Sequence, residues 1–371
     1  MNLTRKKFAI ILYPISLIYG FIVSVRNWLY NASVFNEQEF NIPIISVGNI
    51  TVGGTGKTPH SEYIISNLKK DFNIALLSRG YKRKTRGFFL SDINSTVFDI
   101  GDEPLQIKNK FPDIQVAVCA KRVNGINQLL KHDTEKKLDF IILDDAYQHR
   151  AVKAGISILL MDFNNPIYED YMLPFGNLRE KFHEKYRANI VIVTKTPAGI
   201  KPIERRIIEK NLNLFPYQSL YYSTIKYGNL YPLFNSENQL SDSEYNKFDC
   251  LVVTGIANPD TLYKHLKGCF KSIQKIKYAD HHFFSKSDVE QIAQEFTEIV
   301  SSNKIIITTE KDAIRFKNSN YRDLLINLPI FYISIEIEFL QEDGITFNNQ
   351  IINYVKKNKR SDKVHSREHK F

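Results

Sequence analysis

"VGNITVGGTGKTPHSEYIISNLKK", residues 47–70, decides the fold of this chain. It follows an apolar stretch, "IPIIS", and it holds four glycines and a Gly-Lys-Thr triplet. A strand, a glycine-rich turn and a helix in this order direct backbone N–H groups and a helix N-terminus at phosphate oxygens. The stretch therefore predicts a phosphate-binding loop, and its nucleotide-binding residues are Thr51, Val52, Gly53, Gly54, Thr55, Gly56, Lys57 and Thr58.

Two residues of this loop have chemical roles of their own. Lys57 is expected to reach the β- and γ-phosphates, and the Thr58 hydroxyl is expected to bind Mg²⁺. The usual pattern has a glycine five residues before Gly56, where Thr51 stands instead. The alternative is a strand-to-helix turn that merely favours glycine. The required order of strand, loop and helix favours the phosphate site.

A second motif supports the loop. "DFIILDDAYQHR", residues 139–150, is an apolar strand that ends in Asp144 and Asp145. P-loop proteins use a carboxylate in this position to hold Mg²⁺. Two aspartates at a strand end are otherwise typical of a turn. Together with the upstream loop they predict a magnesium site.

The chain alternates short apolar runs with helical patterns, which predicts parallel sheet in an α/β fold. We expect a P-loop NTPase-like three-layer domain at residues 31–215, a smaller α/β domain with linker strands at 216–345, and a basic tail at 346–371. "SLYYSTIKYGNLYPLF" (219–234) looks like two extended segments around Gly228 and Asn229. "FYISIEIEF" (331–339) alternates strictly and predicts a half-exposed antiparallel strand.

Composition sets broader limits. Apolar residues make up 43% and charged residues 24%, as in ordinary globular proteins. The net charge is +10, and the last sixteen residues hold seven Lys or Arg against two acids. This tail suits a solvated end or anionic lipid headgroups. No aromatic residues interleave with its charges, so we expect no nucleic acid, and nothing predicts an obligate protein partner. Three cysteines without C-x-x-C spacing suit a reducing cytosol.

Residues 1–30 predict a membrane-anchoring helix. "FAIILYPISLIYGFIVSV", Phe8 to Val25, is eighteen residues without a charge, and basic residues flank it on both sides. A straight helix of this length spans roughly 27 Å, which barely matches the hydrocarbon thickness. A secretory signal, a single span and a buried core helix are alternatives. The basic flanks favour a helix in one leaflet with both ends on the cytoplasmic face.

The nucleotide is predicted to be ATP. Guanine-specific P-loop proteins need an [NT]-K-x-D motif after a strand. "TKTP" (194–197) lacks the aspartate, and "TEKD" (309–312) has Glu310 in the lysine position.

The ensemble of motifs resembles the tetraacyldisaccharide 4′-kinase family. The resemblance covers residues 5–340 and rests on "SVGNITVGGTGKTP", "LLSRGYKR", "GDEPLQI", "DDAYQH", "LPFGNLRE", "VIVTK", "TGIANP", "DHHFF" and "TTEKDAIRF", in this order. It implies ATP-dependent phosphorylation of the 4′-hydroxyl of an acylated disaccharide 1-phosphate in lipid A biosynthesis. It also implies a peripheral or monotopic enzyme on the cytoplasmic face of the inner membrane.

The resemblance further implies site residues. Asp102 of "GDEP" is the expected base and His281 of "DHHFF" assists it, while Arg179 and Glu180 match active-site positions, with Glu180 expected among the Mg²⁺ ligands. From the sequence alone, Asp102 also suits a helix N-cap. The alternative function is a membrane-tethered P-loop ATPase or GTPase switch that acts on a protein partner.

Overall fold

The computed structural model describes residues 8–132, 137–234 and 240–368, the side chains of 242 and 360–368 excepted. Its core is a mixed, mostly parallel sheet. The described strands are β1 (Ile44–Gly48), β2 (Ile74–Ser78), β3 (Phe89–Leu90), β4 (Gln115–Val118), β5 (Phe140–Asp144), β6 (Ile156–Asp162), β7 (Ile190–Thr194), β8 (Ser219–Pro232), β9 (Asp249–Thr254), β10 (Ser272–Lys277), β11 (Lys304–Thr309) and β12 (Ile330–Phe339).

Helices fill most of the crossovers between these strands. Within the described residues they are α1 (Ala9–Asn31), α2 (Lys57–Leu68), α3 (Val97–Ile100), α4 (Asp102–Lys110), α5 (Arg122–Lys131), α6 (Pro202–Leu212), α7 (Asp260–Cys269), α8 (Lys286–Glu298), α9 (Glu310–Lys317), α10 (Arg322–Leu325) and α11 (Asp343–Glu368), with short 3₁₀ segments at Phe182–Arg187 and Asp242–Lys247.

The first eight strands form one half of the sheet, in the order β3-β4-β2-β5-β1-β6-β7-β8. All residues of β1, β2, β5 and β7 are buried, because helices cover both faces. Ile45 packs in one apolar cluster together with Ile64 of α2. The preceding residue, Ile44, packs in a second cluster with Ile126 of α5. The predicted α/β fold with a parallel sheet is confirmed.

The second half continues the same sheet in the order β12-β11-β9-β10. Strand β8 joins the halves: it pairs in parallel with β7 through residues 219–222 and antiparallel with β12 through 223–232. The prediction of two extended segments around Gly228 was wrong, since β8 is one strand of 14 residues. A Cβ at Gly228 would meet Ser334 Oγ at 2.3 Å, so the glycine accommodates the irregular register between Ile333 and Ile335 rather than a turn.

The chain then returns to the first half through α11. Phe347, Ile351 and Val355 pack into the cluster that contains Ile45. Tyr354 anchors the helix, because its hydroxyl accepts from Ile44 N at 3.1 Å. The domain boundary predicted at residue 346 falls within this helix, at its packed end.

Helix α1 lies against the first half along one side. Its buried residues Ser16, Gly20, Val23 and Asn27 recur every three or four positions, which is one helical face. The Ser16 hydroxyl donates to Met172 O at 2.8 Å, within the loop before β7. Large apolar side chains remain exposed on the rest of α1, namely Ile10, Ile11, Tyr13, Ile15, Leu17, Ile18, Phe21, Ile22, Val25 and Trp28. Among the described residues, α1 alone is long and apolar enough to cross a membrane.

Candidate active site

The glycine-rich loop connects β1 to α2 and is open to solvent at its tip. Gly53 and Gly56 have φ angles of +107° and +88°, which L side chains rarely adopt. A Cβ added at Gly53 or Gly54 would meet nothing within 4 Å. The loop therefore leaves free space above its backbone, directly before the N-terminus of α2 at Lys57.

The first residues of the loop form backbone contacts with the segment at residues 177–179. Val52 N donates to Asn177 O at 2.8 Å, and Thr51 forms an antiparallel bridge with Leu178. Inside the loop, Asn49 Nδ2 donates to Thr55 Oγ1 at 2.9 Å. The Val52 N–H, which we expected to face phosphate, is thus engaged by the 177–179 segment. Thr51 and Val52 support the loop in this structure, and Gly53 and Gly54 form its open tip.

Lys57 lies beside Asp145 and Arg179. Its Nζ is 3.6 Å from Asp145 Oδ1, and Arg179 Nη1 is 3.7 Å from Asp145 Oδ2. Asp145 has a left-handed backbone, with φ +47°. Its Oδ1 is buried and has no hydrogen-bond partner among the described residues. Three predicted site residues from distant segments therefore meet at the loop, and one carboxylate oxygen is poised to accept a further ligand.

Asp144 is almost completely buried at the end of β5. Its Oδ1 accepts from Ser61 Oγ at 3.2 Å, one turn after Thr58 on α2. Burial raises the pKa of Asp144 to about 7, and the negative charges of Glu103 and Asp145 add to this effect. A bound cation would offset both causes. These carboxylates and the buried Thr58 hydroxyl therefore suit Mg²⁺, which usually takes one or two carboxylates together with substrate phosphates.

Glu180 does not join this group. Its side chain is fully buried, and its two oxygens accept from Arg26 Nη2 at 2.5 Å and from Arg187 Nη2. Arg26 belongs to α1, so Glu180 ties the N-terminal helix to the first half of the sheet. Guanidinium groups occupy both carboxylate oxygens of Glu180. In this structure Glu180 is therefore a buried ion-pair partner and not the magnesium ligand that was predicted. Among the described residues, no group of three or more His, Cys, Asp or Glu is arranged to hold a metal ion.

Asp102 and His281 meet in the cleft between the two halves, although 179 residues separate them. His281 Nδ1 lies 2.9 Å from Asp102 Oδ2. Helix α4 begins at Asp102 itself after Gly101, whose φ is +90°, and Asp102 Oδ1 accepts from Glu103 N at 3.0 Å. Gly101 rather than Asp102 occupies the N-cap position, but the Asp102 side chain still accepts from an N–H of the first helical turn, as the capping alternative expected. His281 also has a left-handed backbone, with φ +56°, as is common for residues held in place at functional sites.

Two basic residues of α9 complete the cleft, and the sequence reasoning missed both. Arg315 donates to Asp102 Oδ2 from Nε at 3.0 Å and also from Nη2. Lys311 Nζ is 3.0 Å from His281 Nε2 and 3.1 Å from Glu103 Oε1. Burial alone would raise the pKa of Asp102, but His281, Lys311 and Arg315 outweigh it and hold this pKa below its ordinary value. The i,i+4 spacing of the two cations within "TTEKDAIRF" was the available signal.

Comparison with known proteins now adds to this geometry. Residues 8–355 match the family model "LpxK: Tetraacyldisaccharide-1-P 4'-kinase". The chain belongs to the tetraacyldisaccharide 4′-kinase family. It is 47% identical over 351 residues to the tetraacyldisaccharide 4′-kinase of Phocaeicola vulgatus, covering 94% of this chain and 96% of that protein. It is 46% identical over 365 residues to that of Bacteroides thetaiotaomicron, covering 96% of each.

The fold agrees with that of a solved relative. A crystal structure described as the "apo" form of LpxK from Aquifex aeolicus in complex with ATP superposes with a TM-score of 0.71. The alignment covers 95% of this chain and 100% of that chain at 24% identity. Membership in the tetraacyldisaccharide 4′-kinase family confirms the predicted enzyme, a kinase of lipid A biosynthesis. It decides between the two functions weighed above in favour of the kinase.

Proposed function

We propose that this tetraacyldisaccharide 4′-kinase transfers the γ-phosphoryl group of ATP to a sugar hydroxyl held at Asp102 and His281. The proposal rests on the interactions of the Glu103 carboxylate. Its charge raises the pKa of Asp144 beside the loop, and its side chain accepts from Lys311, which contacts His281. Glu103 thus contacts the Lys311–His281 side of the cleft and acts on Asp144 through its charge, in accord with two reactants that meet between the halves of the sheet.

The donor half of the site consists of the open loop and Lys57. The free space above Gly53 and Gly54 suits phosphate oxygens, and Lys57 adds a positive charge. Mg²⁺ would be held by Thr58 with Asp144 or Asp145 and would neutralise charge on the phosphates. The Asp145 oxygen that accepts no hydrogen bond, 3.6 Å from Lys57 Nζ, and the raised pKa of Asp144 support this set. The proposal follows the ATP that the Aquifex aeolicus protein's description names.

The acceptor half consists of Asp102 and His281. The hydroxyl proton passes to this pair while the oxygen bonds to the γ-phosphorus, and the bond from phosphorus to ADP breaks. Such positioning and charge stabilisation are what phosphoryl transfer mainly requires. Arg179, 3.7 Å from Asp145, is proposed to face the phosphates. The acceptor is the 4′-hydroxyl of a tetraacyldisaccharide 1-phosphate, in accord with the family name.

The enzyme is proposed to work on the cytoplasmic surface of the inner membrane, in a peripheral or monotopic manner. Helix α1 is about 35 Å long, but its Ser16, Tyr19 and Arg26 side chains all bond to the loop at 172–180. A helix docked along the catalytic body this way is held beside that body. The exposed side of α1, where Ile10 is 90% and Phe21 is 68% exposed, is suited to insertion into one leaflet of the membrane.

The test uses ATP labelled at the γ-phosphate and tetraacyldisaccharide 1-phosphate in mixed micelles, with lipid extraction and chromatography. The native chain should label the lipid. Asp102→Asn keeps the side-chain shape but removes the carboxylate, and general-base catalysis contributes about 10²–10⁴-fold, so labelling should fall by that order while ATP binding persists. Asp99→Asn is the matched control, because Asp99 makes only a local capping box with Thr96. A near-normal rate in Asp102→Asn would reject the assigned base.

A further inference from the structure

The His281 ring lies between a negatively charged carboxylate and a positively charged ammonium group. Its Nδ1 is 2.9 Å from Asp102 Oδ2, and its Nε2 is 3.0 Å from Lys311 Nζ. Arg315 Nη2 is farther from Nδ1, at 3.4 Å, and donates instead to Asp102. Both ring nitrogens of His281 are therefore in hydrogen-bond contact with a charged side chain.

The charges of the neighbours fix which nitrogen carries the hydrogen. Asp102 has a lowered pKa, so its carboxylate only accepts. Burial lowers the pKa of Lys311, but the charges of Glu103, Asp102 and Asp280 outweigh burial and raise it. The Lys311 ammonium therefore only donates. It follows that Nδ1–H of His281 donates to Asp102, and that the Nε2 lone pair accepts from Lys311.

This arrangement occupies the atom that must receive the hydroxyl proton. A general base has to lie about 2.6–3.2 Å from the oxygen whose proton it removes, and Nε2 has one lone pair in the ring plane. Lys311 must therefore leave Nε2 before a hydroxyl can take its place. The ammonium can do so and remain paired, because Glu103 Oε1 is 3.1 Å and Asp280 Oδ1 is 3.5 Å away.

We propose that Lys311 determines the acceptor specificity of the kinase, by blocking His281 Nε2 until the lipid substrate binds. The inference rests on the proposed role of Asp102 and His281 as the base. A base open to solvent beside the γ-phosphate would activate water as readily as a sugar alcohol. In either reaction the acceptor O–H bond breaks, its proton goes to Nε2, a P–O bond forms and the bond to ADP breaks. The blocked lone pair suppresses the reaction with water.

The experiment compares two rates in the full chain. Phosphate release from ATP is measured without lipid, and γ-phosphate transfer is measured with tetraacyldisaccharide 1-phosphate. Lys311→Met should raise the ratio of hydrolysis to transfer by about tenfold, a small part of the effect of a general base. Lys311→Arg keeps the cation and should keep the native ratio. Lys317→Met, at an exposed position of α9, is the matched control and should change neither rate. An unchanged ratio in a folded Lys311→Met variant overturns the inference.

A double variant separates this inference from the proposed base. Lys311→Met combined with His281→Ala should lose the added hydrolysis, because the unblocked nitrogen is gone. Added hydrolysis that persists in the double variant shows that another group activates water, and overturns the blocking role. His281→Ala alone with a native transfer rate rejects the base itself.

A measurement on the native chain needs no variant to fold. Histidine ring ¹⁵N resonances report which nitrogen carries hydrogen, and His281→Ala identifies the signals of His281. Without lipid, we expect a protonated Nδ1 and an unprotonated Nε2 that accepts a hydrogen bond. A neutral ring that carries its hydrogen on Nε2 would contradict the contact with Lys311 and overturn the inference.

Discussion

Replacing Arg315 by methionine should destabilise the protein by an amount that depends on pH. Only 2% of the Arg315 side chain is exposed, and it donates to three acceptors. These are Asp102 Oδ2, Asp312 Oδ1 at 2.6 Å and Gly255 O at 3.0 Å. Methionine fills much of the same volume but supplies no donor. The change therefore leaves the buried Asp312 carboxylate without its cation.

The magnitude follows from Asp312. Its side chain is fully buried, and it keeps hydrogen bonds from Gly255 N at 2.9 Å and Thr309 Oγ1 at 2.8 Å. Removing one partner of a buried ion pair typically costs about 3–5 kcal/mol. Protonation of Asp312 limits the loss of stability, because the carboxyl can become neutral instead of staying charged. With a pKa of 3.8 in the unfolded chain, protonating it at pH 7 costs about 4.4 kcal/mol, at 1.36 kcal/mol per pH unit. We expect a loss of about 3–4 kcal/mol at pH 7.

The direction of the pH dependence is fixed by the same group. Burial already raises the pKa of Asp312 against the pull of Arg315, and the variant lacks that pull. A raised carboxyl pKa lowers stability above the unfolded pKa of 3.8, and the penalty shrinks as the pH falls toward it. Between pH 7 and pH 5 the loss should shrink by up to about 2.7 kcal/mol. Asp102 retains His281 and Lys311, so it stays ionised at both pH values.

Urea unfolding at pH 7 and pH 5 measures these losses, and hydrogen exchange across residues 304–317 assigns them to the second half of the sheet. In Arg315→Met combined with Asp312→Asn, the amide oxygen still accepts from Gly255 N and position 312 buries no charge. This double variant should regain about 2 kcal/mol or more at pH 7. Equal losses at both pH values, or no recovery in the double variant, would show that lost packing rather than an unpaired carboxylate destabilises the protein.

Two further predictions concern magnesium and the membrane. Glu180→Gln should lower the free energy of unfolding by about 1–3 kcal/mol, since two arginines lose their carboxylate, and should leave the Mg²⁺ concentration for half-maximal activity unchanged. Asp144→Asn should raise the Mg²⁺ concentration for half-maximal activity at least about tenfold. If Glu180→Gln raised this concentration and Asp144→Asn did not, Glu180 rather than Asp144 would be the magnesium ligand. Ile10→Ser combined with Phe21→Ser removes two exposed apolar side chains worth about 1.5–3 kcal/mol each, so co-sedimentation with anionic vesicles should weaken at least about a hundredfold. Unchanged sedimentation would locate membrane binding elsewhere.

The buried parallel strands of the first half were predictable from sequence to within a residue or two. β1, β2, β5 and β7 are buried on both faces, so each appears as an unbroken apolar run between turns. β8 was not predictable as one strand. Glycine within an alternating run favours a turn or a bulge equally, and only the packing against Ser334 on β12 distinguishes them.

The site separates into local and non-local parts in the same way. The loop and Asp144 follow from strand–turn–helix chemistry over a few residues. The contact between Asp102 and His281 joins positions in different halves of the sheet, and only the family resemblance indicated it. The roles of Glu180 and Arg315 depend on partners in other elements, Arg26 in α1 and Asp102 in α4. A sequence shows which residues are charged, but only the fold determines which charged residues become their ion-pair partners.

Glu103 gives the clearest case of such a fold-dependent role. In sequence it is the middle residue of "DEP" at the start of α4, where an acid stabilises the helix N-terminus. In the fold Glu103 Oε1 accepts from Lys311 Nζ at 3.1 Å, and its negative charge contributes to the raised pKa of Asp144. Glu103 therefore keeps the Lys311 ammonium paired when the acceptor hydroxyl takes its place at His281 Nε2.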